Sequence, residues 1–392
     1  MPAHQHLFDV AIIGGGIIGS ATAYYLVQQN PQLSVCVIEP DPSYELASAL
    51  RSSGGCRVQF TGTENIAMSL YSIDFIRNFE RTMDTAQHPA PVDWVEGGYL
   101  FVVPPEDTKN LERNARFQQS QGCTLDLLSP AELKDRFPAM YVDDLGAGVH
   151  TPHDGWCDPY GLLWGFRRKA IALGAKYISD RVVAADHDAI KVKSVTLSDG
   201  QVMRAAAFVN ATGAWSGDVA QLFNMSLPIV PVRRFEHYFT PGSHVGHLPY
   251  VKDTARLAFR SEGQGYSGGL VDGDVPRGYN FEVDHHNFEN VVWPAVAHRF
   301  PAFEAARCHR SWAGLYEVNE LDGNPVIGAW NSRLPNLYTC AGFSGHGMMH
   351  APAAGRGIAE LIVHGRFQTI DLSRLGYERV EQDAPYPEQG IL

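Results

Sequence analysis

Three glycine-bearing turns hold the groups in this chain best suited to chemistry. The first is Gly14-Gly15-Gly16-Ile17-Ile18-Gly19, entered from the apolar run Val10-Ala11-Ile12-Ile13 and left through Ser20 to Gln29, which reads as a helix. Spaced glycines let the backbone turn sharply and approach a pyrophosphate, and the helix N-terminus behind them faces that anion. A second apolar strand, Val35 to Ile38, ends on Glu39. Its distance from the glycines matches the roughly 20-residue spacing at which an acid takes the ribose hydroxyls of a dinucleotide, so FAD or NAD fits and NADP does not. The second turn, Ala211-Thr212-Gly213-Ala214, follows the strand Phe208-Val209-Asn210. The third, Gly342 to Gly347, lies between a strand over Leu337 to Ala341 and a helix over Ala351 to Val363.

Other reactive residues fall into weaker patterns. His150, His153 and Asp154 have a spacing that would suit a metal, but no further ligand set accompanies them, and they read as a solvated turn. His285-His286 reads as loop. No metal site is expected. The six cysteines show no CxxC spacing, which suits reduced thiols in a reducing compartment. No serine sits in a nucleophile elbow, so acyl transfer is unsupported.

The elements that must hold these turns belong to a chain of 392 residues, long enough for two cooperating domains. A net charge of −12 argues against nucleic acid or an anionic membrane as partner, since both call for a basic face. The first strand begins almost at once, without a basic leader and apolar segment before it, so a cytoplasmic location is the expectation. The glycine cluster breaks the apolar stretch Val10 to Val27 into strand and helix, and no membrane span is expected.

Further along, Glu64 to Phe79 reads as a helix, and Val92 to Val103 as antiparallel strand and turn around Gly97-Gly98. Ser129 and Pro130 open another helix, and Gly148 to Thr151 makes a short strand. Asp158-Pro159 opens an apolar-faced helix to Leu173. Strands follow over Tyr177-Ile178, Arg181 to Val183 and Val192 to Leu197, with an Asp199-Gly200 hairpin turn. Pro228 to Glu282 is strand-like and aromatic. The expected fold is α/β (α+β overall): a Rossmann-like nucleotide domain from 1–85, 150–220 and 320–370, a substrate domain of antiparallel sheet from 86–149 and 221–319, and a tail over 371–392.

The glycine turns, the loop Ser52-Ser53-Gly54-Gly55 with Arg57, the helix after Asp158, and Asp322-Gly323-Asn324-Pro325-Val326-Ile327-Gly328 occur in an order that resembles the FAD-dependent amine oxidoreductases. That group includes monomeric sarcosine oxidase, glycine oxidase and D-amino-acid oxidase, and the resemblance spans nearly the whole chain. The sequence is also similar to the mitochondrial FAD-dependent oxidoreductase-domain assembly protein, whose role is less plainly catalytic. The resemblance implies extended FAD with its isoalloxazine ring at the domain interface. The cofactor contacts it implies are Gly14, Gly16, Ile17, Gly19, Glu39, Ser48, Arg51, Ser52, Ser53, Gly55, Val182, Val183, Thr212, Gly213, Trp215, Gly314, Gly345, His346, Gly347 and Met348. A helix beginning near Gly347 would aim its positive end at the flavin N1 and C2 carbonyl edge, where charge collects on reduction.

The chain departs from the family at the substrate. Gly314 stands where sarcosine oxidases carry the cysteine that binds flavin covalently, and Cys308, six residues earlier, reads as a buried apolar thiol, so the FAD is expected to be noncovalent. Phe60 and Met349 stand where the family clamps a carboxylate with two cations. Gln59, Arg57, Tyr266 and His350 are the candidate replacements, with Arg233 and Arg256 further off. The region aligned with the family's oxygen-activating lysine, Tyr266 to Asp272, contains no lysine, so either oxygen or an electron carrier is the acceptor, with His346 as a possible cation. The implied reaction removes hydride from the carbon beside an amine nitrogen, and the small-molecule amine must first lose its proton. His346 or His350 would be the base, if one exists, with Tyr266 shaping the pocket and Arg57 beside it. Alternatives are a flavin-retaining assembly or binding protein, and an NAD-linked dehydrogenase.

Overall fold

The computed structural model describes residues 6–254, 256–270 and 275–388. Two eight-stranded sheets divide the molecule. The first runs Val326–Trp330, Leu334–Ala341, Val202–Asn210, His6–Ile13, Val35–Ile38, Lys176–Ile178, with Val182–His187 and Val192–Leu197 paired off to one side. Its middle strands are parallel: Ile13 lies between Asn210 and Ile38. Covered on both faces, they need the unbroken apolar runs that the sequence supplies at Val10 to Ile13 and Val35 to Ile38. Helices Ile17–Gln29, Pro159–Ala172 and Gly347–His364 pack together on one face. Asp158 caps the middle one by accepting from Tyr160 and Gly161 N–H, and Phe75 stacks on Phe166 with ring centroids 5.7 Å apart.

The second sheet is ordered Arg307–Asn319, Ile229–Thr240, Gly265–Leu270, Leu257–Glu262, Tyr250–Lys252, Tyr99–Val103, Ala147–Thr151, Asp126–Leu128. Side chains alternate between its faces. One face sends Phe239, Phe259 and Tyr266 against Phe288, Phe300 and Phe303 to make a closed apolar core. The other turns toward the nucleotide unit and carries Arg234, Glu236, Trp312, Tyr316, Ser267, Tyr250, Lys252 and Tyr99, as the direct pairings Arg234 with Gly314, Val232 with Tyr316 and Tyr250 with Tyr99 require.

Several local expectations shift. The helix read over Glu64 to Phe79 spans Thr63–Arg77, and a short second helix, Phe79–Met83, follows the break at Asn78. Of Val92 to Val103 only Tyr99–Val103 is strand, with Val95 held by a single bridge to Trp156. Strand Ala147–Thr151 crosses the 149/150 boundary and pairs entirely within the second sheet. The stretch 371–388, read as tail, is docked on the nucleotide unit: Leu372, Leu375 and Tyr377 are buried, and Arg379 meets Asp322 at 2.8 Å. Among the described residues no helix is long and apolar enough to cross a membrane.

Candidate functional site

A cleft of about 730 Å³ opens where the first sheet's strands end and the second sheet covers them. Glu39 holds one part of its wall. Its Oε2 accepts from Gly15 N–H at 2.8 Å and its Oε1 from Asp41 N–H at 2.9 Å, leaving lone pairs on both oxygens, and burial pushes its pKa up. The turn needs its glycines because the chain doubles back on itself: a Cβ on Gly14 would lie 2.5 Å from the Ala211 carbonyl, and one on Gly19 would lie 1.9 Å from that of Gly14. Above Gly16 the space is open. Helices Ile17–Gln29 and Gly347–His364 both begin at this cleft with no side-chain cap and no acid in the first turn, so their leading N–H groups are left for an anion or an electron-rich ring edge.

Gly14, Gly16, Ile17, Glu39, Ser48, Ser52, Val182, Thr212, Gly213, Trp215, Gly345, Gly347 and Met348 line the cleft. The remaining expected cofactor residues do not. Gly19 packs beneath Gly14, and Val183 is 47% exposed and points out of the sheet. Arg51, Ser53, Gly55 and Gly314 form the seam under the second sheet: Arg51 Nη1 donates to the Ala313 carbonyl at 2.6 Å, and Ser53 Oγ lies 2.6 Å from the Tyr250 hydroxyl. A Cβ on Gly55 would press on Tyr250, and one on Gly314 on Arg51. Sequence reasoning missed Tyr44, Tyr279 and Phe281. Of these only Tyr279 had a readable signal, an exposed-type aromatic in a polar loop, and it stacks on Trp215 at 5.6 Å.

Cys308 is exposed rather than a buried apolar thiol, lies at the far end of its strand from Gly314, and contacts Arg310 and Ser311. No cysteine lines the cleft.

The substrate candidates separate sharply. Arg57 is buried, its guanidinium 3.8 Å over the Phe60 ring and 5.2 Å from that of Phe101, with Nη1 donating to the Gln59 carbonyl. Tyr266 lies on the wrong face: its ring sits 5.0 Å from Phe303 and 5.8 Å from Phe259, inside the apolar core. Gln59 is spent on structure, donating to Thr151 Oγ1 at 3.0 Å and toward the Tyr99 and Val149 carbonyls. Met349 is buried in the nucleotide core. Arg233 is tied to the Glu282 carbonyl on the face away from the cleft, Arg256 is exposed, and Val271 and Asp272 lie outside the described residues.

The two histidines form a closed pair. His346 Nδ1 and His350 Nδ1 are 3.2 Å apart, His350 Nε2 is 2.9 Å from Ser69 Oγ, and His346 also meets the Gly323 backbone. His350 also meets the Asn65 backbone, and the donor and acceptor roles along this run depend on the two tautomers. Burial and the nearby Arg57 push His346 down to about 3 and hold His350 well below its usual value. Neither ring lines the cleft, and burial disfavours a cation on either. Lys252 stands on the side of the second sheet turned toward the nucleotide unit, 5.4 Å from the Phe101 ring, its pKa lowered by burial and by Arg57. Sequence alignment on Tyr266 to Asp272 passed it over because it stands on a different strand. The histidine turn does not gather: His153 binds Glu96 at 2.7 Å, His150 faces Arg136 and Asp126, and Asp154 is buried beneath Val58 and Thr151.

A parallel-sheet nucleotide unit, a glycine turn with its ribose acid, and a second sheet roofing the cleft define a two-unit flavin oxidoreductase. The chain belongs to the FAD-dependent oxidoreductase (DAO) family, whose model matches residues 9–361. It is 35% identical to FAD-dependent oxidoreductase domain-containing protein 1 of Xenopus laevis over 98% of this chain and 85% of that protein. Sarcosine dehydrogenase of Mus musculus is 25% identical over 91% of this chain and 40% of its own length. Among solved structures, L-proline dehydrogenase from P. horikoshii superposes with a TM-score of 0.87 at 26% identity, covering 97% of this chain and 100% of that one. Glycine oxidase from Geobacillus kaustophilus shares the fold, with a TM-score of 0.82 at 22% identity over 95% and 98%. The protein is an FAD-dependent enzyme, and the open space over Gly16, the free lone pairs of Glu39 and the two uncapped helices fit that cofactor.

Proposed function

We propose that this enzyme oxidises a C–N bond in an amino acid or N-alkyl amino acid. The observation that carries this reading is the pair of basic side chains, buried Arg57 and half-buried Lys252, set among Phe60, Phe101 and Tyr99 where the second sheet turns toward the nucleotide unit. Basic side chains among rings suit a small anionic substrate, whose carboxylate would favour the protonated form of Lys252 and gain charge-assisted hydrogen bonds from both. Bound FAD would supply the two-electron acceptor, taking both electrons as one hydride from the carbon beside nitrogen. Arg57 and Lys252 hold the carboxylate, so that this carbon faces the ring rather than solvent. Tyr99 and Tyr250, stacked at 4.3 Å, keep water from the wall. The imine released from that carbon then adds water and hydrolyses. The names of the proline, sarcosine and glycine enzymes among the relatives point to the same class of substrate.

The test is an anaerobic screen of the holoenzyme against N-methyl, L- and D-amino acids and opines, following loss of the yellow oxidised-flavin absorbance. At least one amine should bleach it. A panel in which none does, with a protein partner co-purifying, overturns the reading in favour of an assembly role. Reoxidation in air by stopped flow then separates oxygen from an electron carrier as acceptor.

A further inference from the structure

Amines reach an enzyme near neutral pH mostly as ammonium ions, and only the free lone pair can push a hydride from the neighbouring carbon. A basic group beside the cleft that takes this proton speeds the reaction, and the two histidines, held low by burial, are poor acceptors. Asp154 lies outside the cleft lining, accepting from Val58 N–H at 3.0 Å and from the Thr151 hydroxyl, whereas Glu317 lines the cleft and is held by backbone N–H groups of its final glycine turn, Gly342 at 3.0 Å and Phe343. Glu236 is different. It stands on the cleft-facing side of strand Ile229–Thr240, two residues beyond Arg234, which pairs with Gly314, and on the same face as Tyr316, which lines the cleft. Ser267 donates to its Oε1 at 2.7 Å and Ser53 supplies a second hydroxyl.

Among the described residues no cation forms an ion pair with it. Arg260 approaches from the neighbouring strand, but that guanidinium is paired with Glu262 and donates to the Ser53 and Ser261 carbonyls. Tyr250 and Tyr316 face it as neutral phenols, both raised by burial. A carboxyl held by hydroxyl donors and by no ion pair keeps a lone pair that can accept a proton. Burial pushes its pKa up to about 7, where gaining and losing a proton are both cheap.

Resting on the function proposed above, we infer that Glu236 is the catalytic base that deprotonates the substrate ammonium. The N–H bond breaks, its electron pair stays on nitrogen, and the proton moves to a carboxylate oxygen of Glu236. The C–H bond then breaks with its pair leaving to the flavin, and the carboxyl later returns its proton to water.

The test uses holoenzyme and whichever amine bleaches it, measuring the limiting rate of anaerobic flavin reduction against pH. In the unaltered protein the rate should rise about tenfold per pH unit and level off above about 7. Glu236→Gln should lose that rise and slow reduction by about 10²–10⁴-fold, with Glu236→Asp partly restoring both. Ser267→Ala removes a hydrogen bond to the ionised form and should move the rise to higher pH. The absorbance of oxidised holoenzyme should show a small neutral-pH titration that Glu236→Gln abolishes. An unchanged rate and profile in Glu236→Gln, or loss of the ionisation in Lys252→Met but not in Glu236→Gln, overturns the inference while leaving amine oxidation standing. If no amine bleaches the unaltered protein, both fall.

Discussion

Tyr266 and Ser267 are consecutive, yet one packs against Phe303 and the other, on the opposite face, donates to Glu236 of the neighbouring strand. In a strand a single step reverses the face, so identifying the right strand is of no use without its register. Tyr266→Phe should accordingly leave flavin reduction unchanged and stability within about 1 kcal/mol, measured by stopped flow and thermal melting. Arg57→Met removes one charge-assisted contact and should raise KM roughly ten- to a hundredfold at unchanged FAD content. At Gly314 there is no side chain to form a bond and no thiol lines the cleft, so acid precipitation should leave all the yellow colour in the supernatant. Arg57 was readable in the sequence as a candidate because it adjoins the Ser52 to Gly55 loop. Glu236 and Lys252 were not, because each owes its place to pairings with strands far away in the chain.

The elements follow a similar division. Strand, glycine turn and helix are local units whose signal lies within about thirty residues, and all three such turns were legible from apolar runs and spacing. Thirteen of the expected cofactor contacts line the cleft for that reason. The second sheet was legible as strand-like composition only, since its order depends on long-range pairing. The third turn is tightly constrained, like the first. Gly345 has φ +108°, and a Cβ there would lie 2.4 Å from the Tyr316 ring that roofs the cleft. Gly345→Ala should therefore yield folded protein with little bound FAD, read as a fall in the ratio of flavin to protein absorbance while the circular dichroism of the helices is kept.

For the whole molecule, the chain passes repeatedly between the two units and finally locks onto the first. Arg379 pairs with Asp322 and donates to the Leu375, Gly376, Asn324 and Pro325 carbonyls, all beneath the surface. Removing one partner of such a buried pair strands the other, and Arg379→Ala should cost about 3–5 kcal/mol, seen as a lowered Tm in apo and holo forms alike. Composition flagged these residues as a tail because short helices and single buried charges leave no periodic trace.

The cleft's rim is assembled from both extremes of the chain, Gly14 and Glu39 near one end and Gly345 and Met348 near the other. A nascent polypeptide leaving the ribosome cannot close around its prosthetic group until the last strand and helix have emerged. Flavin capture is thus a late event of biogenesis, and a stalled or shortened translation product would remain colourless however well its first half had folded.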